Sequence, residues 1–252
     1  PEADALVNPR VRSYPGCADL CGAGVAFFLA SALAQAATAE GLYTGPKFSG
    51  PLLVLAGLAT VADLVPLKEQ NRILVAQSLA YFRRCAPCGL RELRDKAARS
   101  AAALTARDYG FLLAPRINAA GRMDTARAAF DLLVCTDEDR ETARLLASQI
   151  DGFNGLRRGF EQTMFQEACA QIGEAVEDLQ AVVAWDAGCA TEGTESEKRQ
   201  GWHLGVAGIV ASRLLEHYHV PAAVAVGGTG SVRAPDGYNV HDALADASKY
   251  LV

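Results

Sequence analysis

Residues 136–174, TDEDRETARLLASQIDGFNGLRRGFEQTMFQEACAQIGE, decide the fold that the sequence predicts. Apolar side chains recur along them at helical spacing, with polar and charged side chains between, as at Ala143, Leu146 and Ile150. The predicted helix is longer than most helices of globular proteins, and such helices commonly connect two compact regions. We therefore predict one long amphipathic helix that joins two domains.

The segments after this helix alternate between strand and helix patterns. Residues 180–185 and 222–226 are short apolar runs rich in valine, which is typical of strands, and residues 206–219 have helical spacing. This order of elements indicates an α/β fold. Before the long helix, residues 24–37 are apolar on all sides, which predicts a buried helix, and residues 71–84 have helical spacing. The stretch from Thr105 to Asp108 predicts a capping box, with aspartate in place of glutamate, that opens another helix.

Composition places the chain among ordinary globular proteins. Half of its 252 residues are hydrophobic and 21% are charged, which excludes the disordered and low-complexity classes. The longest apolar run, residues 52–62, is shorter than the ~20 residues that cross a bilayer. Seven cysteines, an odd number spread thinly, fit reduced thiols, so we expect a cytoplasmic protein. Because the chain opens at Pro1 and stops within an apolar pattern, we expect it to be part of a longer protein.

Charge is distributed unevenly along the chain, whose net charge is −5. Residues 1–134 carry 15 basic and 11 acidic side chains, whereas residues 135–252 carry 9 and 18. Within residues 83–127, 10 basic side chains accompany only 4 acidic ones. This segment indicates either a local polyanion site or a solvated helical face, and charge alone does not choose between them.

A single acid, Asp63, interrupts the apolar stretch LATVADLVPL, which predicts one buried acid at the end of a helix or strand. A carboxylate surrounded by leucine, valine and alanine is costly to bury without a partner, and a metal ion is one such partner. The alternatives are a helix cap or an ion pair with Arg72. One acid makes no metal site by itself, since a divalent cation needs several ligands.

Two cysteine pairs, Cys17 with Cys21 and Cys85 with Cys88, superficially resemble a zinc site. The spacing of the first pair departs from the usual ligand pattern and no histidine lies near either pair, so we do not predict zinc. The second pair does not follow a strand, as redox-active pairs of this spacing do. The glycines at 22–24 are no dinucleotide fingerprint, because Phe27 stands at the third glycine position.

Two segments of the second half contain candidate anion ligands. Residues 227–233, GGTGSVR, follow a predicted strand, and their backbone N–H groups, Ser231 and Arg233 predict a phosphate cradle at a turn, with a plain β-hairpin as the alternative. His203 lies between Trp202 and two glycines at a predicted helix start. There it serves either as an anion ligand or proton carrier, or as a packed side chain.

Six blocks, in this order and spacing, resemble the RecJ single-strand-specific exonucleases of the DHH phosphoesterase superfamily. They are VNPR (7–10), CGAGVAFFLASAL (21–33), LATVADLVPLKEQNR (58–72), FLLAPRINAAGRM (111–123), GWHLGVAGIVASRLLEHY (201–218) and GGTGSVRAPDGYNVHDAL (227–244). The resemblance implies an α/β protein with the C-terminal part of a DHH domain at 1–135. It also implies a connecting helix at 136–176 and an incomplete DHH-associated domain at 177–252, with catalysis in the cleft between the domains.

By this resemblance, Asp63 is a ligand of a pair of Mn²⁺ or Mg²⁺ ions and His203 is a catalytic residue. Arg122, Ser231 and Arg233, together with Asn118, match positions that contact DNA phosphates. The implied activity is 5′-to-3′ hydrolysis of single-stranded DNA in repair and recombination. The implied partners are single-stranded DNA, a single-strand-binding protein and a helicase, with no membrane.

The departures from the family pattern are equally specific. The Asp-x-Asp and Asp-His-His motifs expected before VNPR are absent from the 252 residues, as is the later GGH motif, and Ala234 stands where a serine is more frequent. We therefore expect the chain alone to be inactive. The alternatives are a relative that has lost its metal site and acts as a DNA-binding or replication scaffold, and a smaller DHH phosphatase of short oligonucleotides.

Overall fold

The computed structural model describes residues 6–11, 18–45, 49–97, 103–173, 179–186 and 201–248. The chain divides into two compact units, Pro1–Asn154 and Gly155–Val252. Cys17, a member of the first cysteine pair, lies outside the described residues.

Helices make up the first unit wherever its described residues have regular structure. The helices are α1 (Gly22–Ala39), α2 (Gly50–Ala62), α3 (Glu69–Cys85), α4 (Cys88–Ala97), α5 (Ala106–Asp108), α6 (Ala114–Met123), α7 (Arg127–Val134) and α8 (Arg140–Ile172). A π-helical turn, Tyr109–Leu113, joins α5 to α6, and a 3-10 turn, Asp137–Asp139, precedes α8.

The long helix predicted at 136–174 is present as α8, which contributes residues to both units. Its first turns are tied to α4 by Glu92, whose two carboxylate oxygens accept hydrogen bonds from Arg140 (2.7 Å) and Arg144 (3.3 Å). Burial raises the pKa of Glu92, but the two arginines outweigh burial and hold that pKa below its usual value. The carboxylate is therefore ionised and fixes the start of α8.

Helix α2 forms where an apolar sequence follows a good start signal. The Ser49 hydroxyl accepts a hydrogen bond from the Leu52 N–H (3.4 Å), and Pro51 stands in the first turn, where a missing N–H costs nothing. Gly57 faces Ser78 of α3 so closely that any Cβ would overlap the hydroxyl. The absence of a side chain at Gly57 is what allows α2 and α3 to pack together.

Helix α1 confirms the helix predicted at 24–37 but not its predicted burial, which is wrong. Only Gly24 and Phe27 are buried, and Phe27 packs against α2 and α3, whereas Leu33 is 61% exposed. The prediction failed because an apolar sequence indicates a core helix, whereas burial depends on whether other elements pack over that helix. By length and composition alone, α1 also resembles a membrane span, a test that core helices and signal sequences pass as well.

The core of the first unit surrounds Tyr109, which is fully buried at the start of the π-helical turn. The turn continues α5, whose predicted capping box is confirmed: Thr105 and Asp108 each bind the other's backbone N–H. The Tyr109 ring lies 6.1 Å from that of Phe82 of α3. Burial raises the pKa of Tyr109 to about 12, although the neighbouring Ser78 hydroxyl acts in the opposite direction.

This raised pKa predicts that the first unit loses stability in alkali. Above pH 10 the unfolded chain releases the Tyr109 proton while the folded protein keeps it until about pH 12. The unfolded state is thereby favoured by about 1.4 kcal/mol per pH unit in that window. Urea unfolding of the wild type and Tyr109→Phe should diverge between pH 10 and 12, the wild type losing more. Parallel pH profiles of the two proteins would contradict the prediction.

The second unit is a small mixed sheet with helices. Its elements are the end of α8, then β1 (Val182–Trp185), α9 (Leu204–Tyr218), β2 (Ala222–Val226), β3 (Thr229–Arg233) and α10 (Val240–Ala247). Strands β1 and β2 are parallel, with Val182 beside Ala222, and α9 lies between them in sequence. Strand β3 is antiparallel to β2. The predicted α/β alternation is confirmed.

A two-residue turn, Gly227–Gly228, connects β2 to β3. Both glycines have positive φ, 56° and 83°, the combination that a tight hairpin with the usual strand twist requires and that glycine adopts without strain. The β-hairpin is therefore the structure of this segment. Ser231 and Arg233 lie on β3 beyond the turn, so the prediction of side chains converging on the turn itself is wrong.

Candidate functional site

Asp63 occupies the C-cap position of α2. Its backbone N–H bonds to the carbonyl of Ala59, and its side chain is exposed, so the predicted buried acid is wrong. Among the residues that the structure describes, no cationic side chain, Arg72 included, pairs with its carboxylate. A negative charge at the C-terminal, negative end of a helix dipole is unfavourable. Asp63 is therefore an exposed carboxylate at a helix end, where a nearby cation would stabilise its charge.

The loop that follows Asp63 contains two strained residues. Leu64 (φ 55°) and Glu69 (φ 44°) are both in the left-handed region, which residues other than glycine seldom adopt and which costs of order 1 kcal/mol or more. Leu64 is also 88% exposed. Strained backbone and an exposed leucine next to an exposed acid are local conflicts of the kind found at functional sites.

Asn118 and Arg122 lie on α6 four residues apart, so they share one face of that helix, and both are exposed. The neighbouring Arg116 has a different role: it bonds to Asp151 (2.8 Å) and to the carbonyl of Leu112. Among the described basic residues of 83–127, Arg91, Arg94, Arg116 and Arg127 are ion-paired with carboxylates. The positive charge of this segment is therefore partly neutralised within the protein.

His203 is the N-cap of α9. Its Nδ1 accepts a hydrogen bond from the Gly205 N–H (3.1 Å), and its ring centroid lies 5.2 Å from that of Phe160. Because Nδ1 is the acceptor, the proton of the neutral ring is on Nε2, the nitrogen that can donate to an anion. The structure thus shows His203 as a packed side chain that caps α9, and its role as an anion ligand or proton carrier stays a prediction.

Trp202, which the sequence analysis did not assign, holds the segment that carries His203. Its indole N–H donates to Glu167 of α8 (2.6 Å), and its backbone N–H donates to Asp186, just after β1 (2.8 Å). Both acceptors are carboxylates, and hydrogen bonds to charged acceptors are stronger than neutral ones. Only the unusual Trp-His pair hinted at this role, because the two carboxylates lie 16 and 35 residues away in sequence.

Ser231 and Arg233 point from β3 toward α9, where Gly208 leaves room for them. Ser231 is half-buried, Arg233 is exposed, and the Arg233 Nη1 donates to its neighbour's carbonyl, that of Val232 (2.8 Å). A Cβ at Gly208 would lie 3.0 Å from the Arg233 Nη2 and 3.3 Å from the Ser231 Oγ. The guanidinium, the hydroxyl and the helix backbone at Gly208 are thus adjacent, and the phosphate contact at Ser231 and Arg233 stays a prediction.

The six predicted site residues divide equally between the units. Asp63, Asn118 and Arg122 belong to the first, and His203, Ser231 and Arg233 belong to the second. Within the described residues, no three side chains of histidine, cysteine, aspartate or glutamate come together to hold a metal. Asp63 fits Mn²⁺ or Mg²⁺ as one ligand, since these ions prefer carboxylate oxygen.

The described members of the two cysteine pairs lie at helix ends. Cys21 caps α1, accepting from the Gly24 N–H, while Cys85 ends α3 and Cys88 begins α4. The structural role of Cys21 is therefore that of the N-cap of α1.

Comparison with known proteins places this arrangement in context. No family model matches the chain. It is 39% identical, over 97% of its length, to the single-stranded-DNA-specific exonuclease RecJ of Dickeya dadantii, and 34% identical, over all of its length, to RecJ of Bacillus subtilis. These alignments cover 42% and 30% of the two relatives, so the chain spans about two fifths or less of their length.

Solved structures agree with the sequence comparison. RecJ of Thermus thermophilus in complex with Mg²⁺ matches 91% of this chain with a TM-score of 0.72 and 32% identity, and the match covers 33% of that chain. An exonuclease RecJ bound to manganese matches 90% of this chain with a TM-score of 0.70 and 31% identity, and the match covers 51% of that chain. The α/β fold with a long helix, implied by the resemblance, is confirmed. Over the length that it spans, the chain therefore belongs to the RecJ family of the DHH phosphoesterases.

Proposed function

We propose that this chain contributes one metal ligand and the phosphate contacts of a RecJ-type exonuclease, an enzyme that hydrolyses single-stranded DNA from its 5′ end. The observation that carries the proposal is the match to curated RecJ proteins across nearly every residue of the chain. The carboxylate of Asp63 supports it, because this side chain is exposed, pairs with no cationic side chain among the described residues, and offers the oxygen ligand that Mn²⁺ and Mg²⁺ prefer. The domain limits 1–135, 136–176 and 177–252 are part of the same proposal.

In this proposal each residue has a defined task. Asp63 supplies a carboxylate ligand to Mn²⁺ or Mg²⁺, and the ions, when bound, supply Lewis-acid activation of water and of the phosphate. Arg233 and Ser231 hold a phosphate of the strand end by charge-assisted hydrogen bonds, and Arg122 and Asn118 hold another. The His203 Nε2 donates a hydrogen bond to a phosphate oxygen. These contacts orient the strand for hydrolysis.

Further ligands must come from elsewhere in the protein that carries this chain, because the described residues supply Asp63 without neighbouring ligands. We therefore expect the 252-residue chain alone to cleave little. Single-stranded DNA is the proposed substrate, delivered with the help of a single-strand-binding protein and a helicase. The five described cysteines are all free, which supports the proposed cytoplasmic location.

The test is a nuclease assay of the complete protein with Mn²⁺. The substrates are a 5′-phosphorylated, 3′-labelled single strand and a blunt duplex of the same sequence. We expect stepwise shortening of the single strand from its 5′ end, suppressed steeply by salt because the contacts are to phosphates, and no attack on the duplex. Binding of DNA without cleavage would favour the scaffold. Equal cleavage of both substrates would contradict the proposed specificity.

The phosphate contact at Arg233 gives a sharper prediction. Arg233→Ala should reduce the preference for 5′-phosphorylated over unphosphorylated ends about tenfold or more, because a charge-assisted hydrogen bond contributes roughly 1.5–3 kcal/mol. Stability should change little, since the side chain is exposed. The matched control is Arg158→Ala, which removes an exposed arginine from α8 in the same unit. An unchanged preference in Arg233→Ala would remove this residue from the site.

A further inference from the structure

The loop between α2 and α3 is strained and requires contacts from outside the loop to keep its conformation. Leu64, in this loop, and Glu69, the first residue of α3, both have left-handed backbone angles. Strained conformations of this kind persist only when surrounding groups over-determine them. The backbone contacts nearest the acid, from the Leu64 N–H to the Val61 carbonyl (3.2 Å) and from the Lys68 N–H to the Pro66 carbonyl (2.9 Å), are local.

Asn71 of α3 provides such a contact from outside the loop. Its side chain is completely buried in the first turn of α3, and its Nδ2 donates two hydrogen bonds, to the Pro66 carbonyl (3.0 Å) and to the Asp19 carbonyl (2.9 Å). Both protons of the amide nitrogen are therefore used. Asp19 lies 52 residues earlier, just before α1, so one side chain joins the start of α1, the loop after Asp63 and α3.

The Asp19 end of this connection is itself anchored. Arg10 lies 3.6 Å from the Asp19 carboxylate, and its Nε donates to the Ala18 carbonyl (3.4 Å). Asn71 therefore links the block 7–10 to the block 58–72, two of the blocks on which the family resemblance rests. Through Asn71, the backbone of Pro66, three residues after Asp63, is connected to the backbone of Asp19.

The amide oxygen of Asn71 shows that stability alone does not explain this residue. The Oδ1 atom is buried and has no hydrogen-bond partner within the described part of the chain. An unpaired buried oxygen is unfavourable, and a leucine of similar size would remove it. What a leucine could not replace are the two donors that hold the carbonyls of Pro66 and Asp19.

We propose that Asn71 is the positioning residue of Asp63: its amide fixes the loop at Pro66, and thereby the place of the Asp63 carboxylate relative to the rest of the unit. The proposal deepens the function proposed above and rests on it, since it treats Asp63 as a metal ligand. The amide does not touch metal or substrate. It acts through the backbone that carries the acid.

The experiment compares three variants of the complete protein: Asn71→Leu, Ser78→Ala and Asp63→Asn. Ser78→Ala is the matched control, because Ser78 is also completely buried in α3, and its hydroxyl donates to the Val75 carbonyl of the same helix and not to the segment after Asp63. The measurements are Mn²⁺ affinity by electron paramagnetic resonance, the Mn²⁺ dependence of cleavage, and amide hydrogen exchange of residues 64–69. Asn71→Ser, which keeps one donor on a shorter side chain, replaces Asn71→Leu if the latter does not fold.

For Asn71→Leu we expect 10- to 100-fold weaker Mn²⁺ binding, the range measured when groups that orient metal ligands are lost. The rate at saturating Mn²⁺ should stay close to that of the wild type, and residues 64–69 should exchange faster, with a smaller change of the same kind in Asn71→Ser. Suppose that Asn71→Leu has the same Mn²⁺ affinity and the same amide hydrogen exchange as Ser78→Ala, while Asp63→Asn binds Mn²⁺ weakly. That result would overturn this inference and leave the proposed function standing. Unchanged Mn²⁺ binding in Asp63→Asn would overturn the proposed function and this inference with it.

Discussion

Asp63→Asn is expected to abolish metal-dependent cleavage by the complete protein while leaving its fold intact or slightly more stable. The amide keeps the size of the side chain but loses the charge that a divalent cation requires of its ligand. Loss of several kcal/mol of transition-state stabilisation corresponds to a rate at least about 10³-fold lower. Removal of a negative charge from the C-terminal end of α2 should raise the free energy of unfolding by about 0.3–1 kcal/mol in metal-free buffer.

The opposite signs of these two effects make the prediction specific. Glu40→Gln is the matched control, because Glu40 is an exposed acid at the C-cap of α1 with nearly the same backbone angles (φ −89°, ψ 1°) as Asp63 (φ −84°, ψ 1°). It should show the same small gain in stability and full activity. Cleavage rates and urea unfolding of both variants decide the matter. Wild-type activity in Asp63→Asn would exclude this residue from the metal site.

Gly89→Ala is expected to give the largest loss of stability of any single methyl addition considered for this chain. Gly89, the second residue of α4, faces the C-terminal turn of α7, and a Cβ there would fall on the carbonyl oxygen of Leu132 and lie 2.8 Å from its carbonyl carbon. The clash is with backbone inside the core of the first unit, where Leu90 and Leu132 are completely buried, so no side-chain rotation relieves it. We expect a loss of about 3 kcal/mol or more.

The control for Gly89→Ala is a glycine with room beside it. Gly152 of α8 is exposed, and a Cβ at that position meets no atom within 4 Å. Gly152→Ala should therefore stabilise the protein by about 0.5–1 kcal/mol, the difference in helix propensity. Urea denaturation of the two variants separates the free-energy cost of the steric clash at Gly89 from the effect of helix propensity. A loss below 1 kcal/mol in Gly89→Ala would mean that α4 and α7 can move apart.

The sequence predicted well whatever depends on local periodicity. The 33-residue helix α8, the strands β1 and β2 and the helix α9 between them follow from the spacing of apolar residues over short windows, and all are present within a few residues of their predicted limits. The capping box of Thr105 and Asp108 is a pattern of four residues and is likewise confirmed. The family resemblance was also readable, because its blocks are contiguous.

Burial and side-chain partners were not readable in the same way. The sequence of α1 is apolar and predicts a core helix, yet most of that helix is exposed in the described unit. Asp63 was expected to be buried because its neighbours are apolar, but it projects from a helix end into solvent. Both errors have one cause: hydropathy describes the residue, whereas exposure depends on which elements pack over it.

The sequence by itself therefore determined the family, the order of helices and strands, and the residue types that can bind metal and phosphate. Only the tertiary structure decided which groups hold those residues in place. Asn71 bonds to a carbonyl 52 residues away, and Trp202 bonds to a carboxylate 35 residues away. A hydrogen bond forms between atoms about 3 Å apart in space, and chain packing, which local patterns do not encode, sets those distances.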